Sequence, residues 1–389
     1  MKKSLYLLGA LAFTACTSTQ ENTEETTTEI AEVAVIDSKT VKTLEIGSQA
    51  PDFKLMGVDD KEYTLESFED ADLLAVLFTC NHCPTAQAYE SRVKKYVSDY
   101  KDKGVQLVAI SPNADKAVLF NELGYTDVND SFEDMQYRAK DQNFNFPYLY
   151  DGATQEITAK YGPIATPHVF LFDKDRKLQY VGRIDDDEHI GKEKVLNLRI
   201  ATDALLTGNT PDPAVTKTFG CSIKWMEKAK NKAKEIEDWS KEPVSLEKAN
   251  LAKLGEVMAN KGTGNYRLVN VWATWCGPCV AEFQGLTESY KMYRERNFEF
   301  VTVSNDEADN YDNTLKFLKK KLATDTNYIL EEGVNKYDMI EAIDPEWQGA
   351  LPYTVLISPE GEKVYSQMGE IDILELRKAI ADNIGRYFD

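Results

Sequence analysis

Residues 268–279 have the sequence LVNVWATWCGPC, and this stretch decides the fold. Its first residues are apolar or β-branched apart from one Asn, which predicts a strand, and the residues after it have helical spacing. Cys276 and Cys279 are therefore expected where a strand turns into a helix. The unpaired N–H groups at a helix start stabilise a thiolate, which is the species that attacks a disulfide. The pattern predicts Cys276 as a nucleophile and Cys279 as the cysteine that resolves the mixed disulfide.

A second C-x-x-C pair follows a similar apolar run in residues 73–83, LLAVLFTCNHC. By the same reasoning, Cys80 is predicted as a nucleophile at a helix start and Cys83 as its resolving partner. His82 directly precedes Cys83, and a cationic imidazole there would stabilise a Cys80 thiolate; the alternative is a solvated loop residue. Cys221 belongs to neither pair. It is either a small buried apolar residue or a third cysteine that resolves a disulfide on Cys80 or Cys83.

The segment WCGPC and the strand before it resemble the active site of thioredoxins, in particular the TlpA/ResA branch of membrane-tethered thioredoxins. The resemblance extends from about Leu246 to the C-terminus. It includes GALPYTVLI at residues 349–357, which is similar to the cis-proline strand that lies opposite the cysteines in this superfamily. The resemblance implies that Leu351 and Pro352 form an edge on which an extended substrate segment docks.

One position departs from the thioredoxin pattern. Asn270 stands before Cys276 where cytosolic thioredoxin has a buried Asp, and an amide cannot accept the proton that leaves Cys279. Glu282 occupies a position at which the TlpA/ResA branch carries a carboxylate that lines the redox pocket. We therefore expect Glu282 to be the base, the alternative being an ordinary exposed carboxylate on the helix surface.

The sequence FTCNHCP at residues 78–84 resembles the redoxin, or peroxiredoxin-like, group of the thioredoxin superfamily. Further blocks that carry this resemblance are DSFEDM, NFPYLYD, ATPHVF and VGRIDD, and together they cover about residues 45–227. The resemblance implies a thioredoxin-like fold in this half, with Thr166 and Pro167 at the docking edge.

The chemistry of the first half has alternatives. Neither Cys80 nor Cys83 is preceded by the P-x-x-x-[TS]-x-x-C pattern of a peroxidatic cysteine. This favours dithiol–disulfide exchange over the alternative function, a thiol peroxidase. Metal binding is another alternative, with zinc on the four C-x-x-C thiolates or copper on His82 and His168 beside the first pair. We predict neither a metal nor another cofactor.

The charge balance limits the partners. The chain has 45 Lys and Arg against 65 Asp and Glu, a formal net charge of −20. This excludes nucleic acid, because neutralising phosphates requires clustered basic residues. We expect protein thiols and disulfides as partners, together with a membrane electron donor, because the space outside the cytoplasm is oxidising. The TlpA/ResA resemblance implies the cysteines of envelope proteins or apocytochromes as substrates.

The first residues form a segment of a different kind. Lys2 and Lys3, a short apolar run over residues 5–13, and Thr14-Ala15-Cys16 resemble a bacterial lipoprotein signal, in which Cys16 becomes the lipidated first residue. The alternative is a plain cleaved signal. Residues 17–42 are rich in Thr and Glu and predict a flexible acidic tether. Together these features predict a lipid-anchored protein on the periplasmic face or outer surface of the cell envelope.

The predicted fold class is α/β, with two thioredoxin-like folds in tandem, each a central mixed β-sheet flanked by helices. Residues 113–143 are predicted as a largely helical insertion in the first fold. The predicted segments are a lipoprotein signal (1–16), a tether (17–42), a redoxin-like domain (43–224), a connecting helix (225–242) and a TlpA/ResA-like domain (243–389).

Overall fold

The computed structural model describes residues 35–387. The predicted lipidation site, Cys16, and the lipoprotein signal lie outside the described residues, as does most of the predicted tether. Within residues 35–387, no helix has the length and apolar character needed to cross a membrane.

The first half is built on a mixed sheet of seven strands. Its strand order is β2-β1-β5-β4-β3-β6-β7, in which β3, β4 and β5 are parallel and the other neighbours are antiparallel. The strands are β1 (Lys54–Gly57), β2 (Glu62–Thr64), β3 (Leu73–Phe78), β4 (Val105–Ser111), β5 (Tyr148–Tyr150), β6 (His168–Phe172) and β7 (Leu178–Gly182).

Strand β3 is the centre of this half. Every residue of its apolar run is buried, because helices cover both faces of the sheet. Leu73, Ala75 and Leu77 pack into one hydrophobic cluster, and the alternate residues of the strand pack into another on the opposite face. The helices of this half are α1 (Pro84–Tyr100), α2 (Phe132–Asp141), α3 (Glu156–Tyr161) and α4 (Asn197–Leu206).

The second half is built on a sheet of six strands, in the order β13-β12-β9-β10-β11-β8. Strands β8 to β11 pair in parallel, and β12 is antiparallel to both of its neighbours. The strands are β8 (Glu247–Ala249), β9 (Tyr266–Trp272), β10 (Phe298–Ser304), β11 (Thr326–Leu330), β12 (Tyr353–Ile357) and β13 (Lys363–Met368). The helices are α5 (Ala229–Trp239), α6 (Leu251–Ala259), α7 (Gly277–Tyr293), α8 (Tyr311–Lys320), α9 (Lys336–Ile343) and α10 (Ile373–Ile384). The predicted fold class, two thioredoxin-like folds in tandem, is confirmed.

The insertion at residues 113–143 differs from the prediction of a largely helical segment. Apart from α2 it has only two short 3-10 turns, at Asp115–Ala117 and Phe120–Leu123. Three of its apolar side chains, Val118, Phe120 and Leu123, pack in the core of the second half instead, with Phe120 against Trp239 at a ring distance of 4.5 Å. Helical spacing was misleading for the residues before α2, because burial against the second half, rather than a helix of their own, fixes their conformation.

Candidate redox sites

The cysteines of the second half lie at the start of α7. Cys276 is the N-cap residue of that helix, is bonded to Cys279 in a disulfide, and accepts a hydrogen bond from the Cys279 N–H at 3.4 Å. The loop before Cys276 is held by Asp306, which accepts hydrogen bonds from the backbone N–H and the hydroxyl of Thr274. Trp275 projects beside the disulfide with 65% of its surface exposed. The structure therefore places this pair at a strand-to-helix turn, as the sequence predicts.

The two proline edges lie beside the cysteines. The Thr166–Pro167 and Leu351–Pro352 peptide bonds are both cis, as the resemblances imply. Leu351 packs against the hydrophobic cluster that contains Cys276 and Cys279. In the first half, the Thr166 hydroxyl lies 3.1 Å from the Cys80 Sγ.

Glu282 is buried on the inner face of α7. One carboxylate oxygen accepts a hydrogen bond from the Asn270 amide at 3.3 Å, and the other accepts from the Ile371 N–H at 3.0 Å. Burial raises the pKa of Glu282 to about 7, although both hydrogen bonds oppose this shift. The alternative of an exposed surface carboxylate is wrong, because Glu282 is only 6% exposed. A carboxyl group with a pKa near neutrality is suited to accept a proton at physiological pH.

The cysteines of the first half are paired differently from the prediction. Cys83 is bonded to Cys221, and Cys80 is a free, buried thiol. The prediction had Cys80 at the helix start, but α1 begins after Cys83, which is its N-cap, with Pro84 in the first turn. Cys221 is brought to Cys83 by a pair of backbone hydrogen bonds with Thr166. Cys221 is therefore not an isolated buried thiol.

Asp130 explains why the helix does not begin at Cys80. One of its oxygens accepts the backbone N–H groups of Asn81 and His82, which are thereby held outside the helical hydrogen-bond pattern. The other accepts from the His82 ring at 2.5 Å and from the Asn113 amide at 2.7 Å. Both Asp130 and His82 are buried. The prediction that His82 could be a solvated loop residue is wrong.

His82, Asp130 and Cys80 form a buried trio. Burial disfavours the protonated His82 ring, but the negative charges of Asp130 and Cys80 outweigh it and raise the pKa of His82 to about 10. Burial likewise opposes ionisation of Asp130, yet the His82 ring and the hydrogen bonds lower the pKa of Asp130 below its usual value. The structure thus places a buried imidazolium beside the Cys80 thiol.

The same trio is a group that could hold a metal, since one ligand atom from each residue lies within 4.8 Å of the others. Both Asp130 oxygens, however, already accept two hydrogen bonds each. A metal would have to displace at least one of these bonds, so the donor set fits a hydrogen-bonded triad better. His168, which the alternative of a copper site would use beside His82, is not part of the trio. Its Nδ1 accepts the Ile164 N–H, its ring packs on Phe170, and burial lowers the pKa of His168 to about 4.

Asp130 is the functional residue that sequence reasoning missed. It opens the block DSFEDM, one of those on which the redoxin resemblance rests, and that membership is the signal that could have found it. Its contact with His82 spans 48 positions and depends on the fold of the insertion.

Comparison with known proteins agrees with this architecture. Residues 45–198 match the model of the Redoxin family, and residues 240–366 match the model of the AhpC/TSA family. The two matched segments correspond to the two halves of the structure, each of which has a thioredoxin-like fold.

Its relatives include the thiol-disulfide oxidoreductases ResA of Bacillus subtilis, 32% identical over 108 residues (27% of this chain and 52% of the relative), and of Oceanobacillus iheyensis, 29% identical over 104 residues (24% and 45%). The chain thus spans about half the length of these relatives. Among solved structures, a hypothetical protein from Sinorhizobium meliloti 1021 is 33% identical, with 48% of this chain and 97% of that chain covered and a TM-score of 0.42.

Proposed function

We propose that the protein is a thiol-disulfide oxidoreductase of the bacterial cell envelope, with Cys276 and Cys279 as its principal exchange centre. The observation that carries this proposal is the position of the Cys276–Cys279 disulfide at the N-terminal end of α7, with the buried Glu282 three residues after Cys279 on the same helix. The ResA relatives support the same class of activity.

The residues of this site have complementary roles. In the reduced protein, the Cys276 thiolate is stabilised by the N-terminal end of a helix of 17 residues. It attacks a substrate disulfide, forms a mixed disulfide and releases one substrate thiolate. Glu282 takes the proton of Cys279, and the Cys279 thiolate then displaces the second substrate thiolate and restores the disulfide. Trp275 and the Leu351–Pro352 edge provide the surface on which a polypeptide substrate docks.

In the first half, Cys80, Cys83 and Cys221 form another exchange centre, the first along the chain, with Thr166 and Pro167 at its docking edge. The disulfide there is available for exchange, and His82 supplies a positive charge beside Cys80. Two centres in one chain suit a protein that passes disulfides between partners.

The location is part of the proposal. The lipoprotein-like segment ending at Cys16 and the acidic tether after it would hold the folded part near a membrane, where a membrane protein supplies electrons and envelope proteins or apocytochromes supply disulfides. Expression of the full chain in bacteria tests this: Cys16→Ser should move the protein from the membrane fraction to the soluble fraction. An unchanged distribution would remove the lipid anchor from the proposal.

Trapping tests the activity. Full-length reduced protein carrying Cys279→Ser should form a mixed disulfide with insulin on Cys276, which mass spectrometry locates, and Cys276→Ser should form none at that site. Wild-type protein should also accelerate the reduction of insulin by dithiothreitol. Absence of both the trapped species and the acceleration would refute the proposed function.

Thiol peroxidase is a second candidate because of one observation. Cys80 is a free thiol beside an imidazolium, and its Sγ lies 3.1 Å from the Thr166 hydroxyl, which could donate a hydrogen bond to a peroxide oxygen. Consumption of hydrogen peroxide by the reduced protein, lost in Cys80→Ser, would favour this function. We rank it second because the sequence before Cys80 lacks the peroxidatic pattern.

A further inference from the structure

The Cys83–Cys221 disulfide has an inner and an outer sulfur. Cys83 is completely buried at the N-cap of α1. Cys221 is only partly buried, and it lines a surface groove together with Pro84, Phe219 and the loop at residues 186–188. A thiol or disulfide of another protein can therefore reach Cys221, whereas Cys83 is shielded from such a partner.

Cys80 lies on the inner side of the same disulfide. Cys80 and Cys83 belong to one small buried cluster, against which Cys221 packs. Thr166 contacts both inner sulfurs, with its hydroxyl 3.1 Å from the Cys80 Sγ and its carbonyl oxygen 3.5 Å from the Cys83 Sγ. Cys80 also lines a narrow pocket with Phe144, Phe146 and Pro167, and it is only 3% exposed. The reaction partner that the structure offers to Cys80 inside this cluster is thus the sulfur of Cys83.

Cys80 lies beside a buried ion pair of His82 and Asp130. Burying an imidazolium and a carboxylate costs several kcal/mol per ion unless hydrogen bonds and further charges compensate. Four hydrogen bonds compensate the buried charge of Asp130, and the His82 ring lies close to both Asp130 and Cys80. The Cys80 Sγ lies beside this ion pair, with the Thr166 hydroxyl 3.1 Å away. The exchange that we propose for Cys276 and Cys279 does not involve this trio.

We propose that Cys80, Cys83 and Cys221 form an internal disulfide relay, in which the Cys80 thiolate attacks Cys83 and displaces Cys221 as a thiolate into the surface groove. This inference rests on the proposed function, because it assigns the order of exchange at the first centre. One S–S bond breaks, between Cys83 and Cys221, and one forms, between Cys80 and Cys83. The negative charge moves from Cys80 to Cys221, and no electrons are gained or lost.

The relay gives the site two forms with different outer surfaces. In the form with the Cys83–Cys221 bond, the groove presents an oxidised sulfur that a partner thiolate can attack, with Cys83 as the leaving group at the helix start. In the form with the Cys80–Cys83 bond, the groove presents the Cys221 thiolate, which can attack a disulfide of a partner protein and release one partner thiolate. Cys221 is the point of contact with partner proteins in both forms.

Alkylation without reductant tests the relay. The protein used is the full-length chain with Cys276→Ser and Cys279→Ser, so that the second centre cannot contribute and failure of its proposed activity does not affect the result. At time zero, mapping should find the Cys83–Cys221 bond. During incubation with iodoacetamide at neutral pH, alkylated Cys221 and the Cys80–Cys83 disulfide should appear together, because alkylation traps Cys221 each time that it is displaced.

Two further variants separate the relay from other routes. Cys80→Ser should leave Cys221 bonded to Cys83 and unlabelled. His82→Gln, checked for folding by circular dichroism, should slow labelling of Cys221 about tenfold or more. Labelling of Cys221 at an equal rate in Cys80→Ser, labelling of Cys80 alone, or absence of the Cys83–Cys221 bond at time zero would each overturn the relay.

Discussion

Among the described residues, the buried Glu282 on α7 is the only one whose carboxyl group accepts a hydrogen bond from the Asn270 side chain. Replacing Glu282 with Gln removes this carboxyl group. The change keeps the size of the side chain but removes its ability to accept a proton, and the Gln amide oxygen can replace only one of the two carboxylate oxygens that accept hydrogen bonds. Because the base accepts the proton of Cys279, we expect Glu282→Gln to slow the resolving step by about a hundredfold or more at pH 7, the usual contribution of a general base.

The pKa of Glu282 fixes the pH dependence of that step. With the pKa raised by burial to about 7, about a tenth of the Glu282 carboxyls are ionised at pH 6 and about nine-tenths at pH 8. The wild-type rate should therefore rise about tenfold between these values and then level off. An ordinary Glu with a pKa near 4.5 would be ionised throughout this range and would give no inflection.

The assay isolates the resolving step. A small aromatic disulfide is loaded on Cys276 by stopped-flow mixing, and the release of the aromatic thiol by Cys279 is followed from pH 5.5 to 8.5. Glu288→Gln is the matched control, since Glu288 lies on the same helix with a partly exposed side chain. A Glu282→Gln variant that keeps both the wild-type rate and the inflection near pH 7 would show that another group accepts the proton.

Three further predictions concern the buried charges and the groove. Asp130→Asn leaves the His82 ring without its counter-ion, so the free energy of unfolding should fall by about 3–5 kcal/mol, measured by urea denaturation; a loss below about 1 kcal/mol would contradict a buried ion pair. Burial raises the pKa of Asp325 to about 7, which favours its neutral form, so the wild-type free energy of unfolding should fall as the pH rises from about 4 through 7. Asp325→Asn should remove that decrease. If the free energy of unfolding, measured by urea denaturation, changed equally between pH 5 and pH 8 in both proteins, the prediction would be contradicted. The carboxylates at residues 186–188 line the groove at Cys221, so a cysteine peptide flanked by Lys should form a mixed disulfide there faster than one flanked by Glu, with a difference that shrinks at high salt; equal rates by mass spectrometry would mean that the loop does not face the incoming thiol.

The sequence is a better guide to the second redox site than to the first. WCGPC and the strand before it are local features, so Cys276 at a helix start follows from neighbouring residues alone. Glu282 lies one turn further along the same helix and could be predicted for the same reason. Its burial could not, because burial depends on Ile371 and Asn270 from other parts of the chain.

At the first site the local pattern was misleading. The spacing of Cys80 and Cys83 is the same as that of Cys276 and Cys279, and both pairs follow a buried strand. What differs is Asp130, which binds the backbone of the intervening residues and leaves Cys80 outside the helix. The bond from Cys83 to Cys221 spans 138 positions, and no local pattern encodes a contact of that range.

An ion pair also links the two halves of the chain. Asp127, three residues before Asp130, is completely buried and contacts Arg386 at 2.7 Å and Arg138 at 3.5 Å. Arg138 in turn binds Glu90, which lines the pocket next to Cys80. Since Arg386 lies at the end of the second half, the wall of the first redox pocket is held in part by a residue from the other fold. A buried carboxylate that loses one of its arginines becomes strongly unfavourable, so the arrangement of the first site depends on the packing of the second half against the insertion.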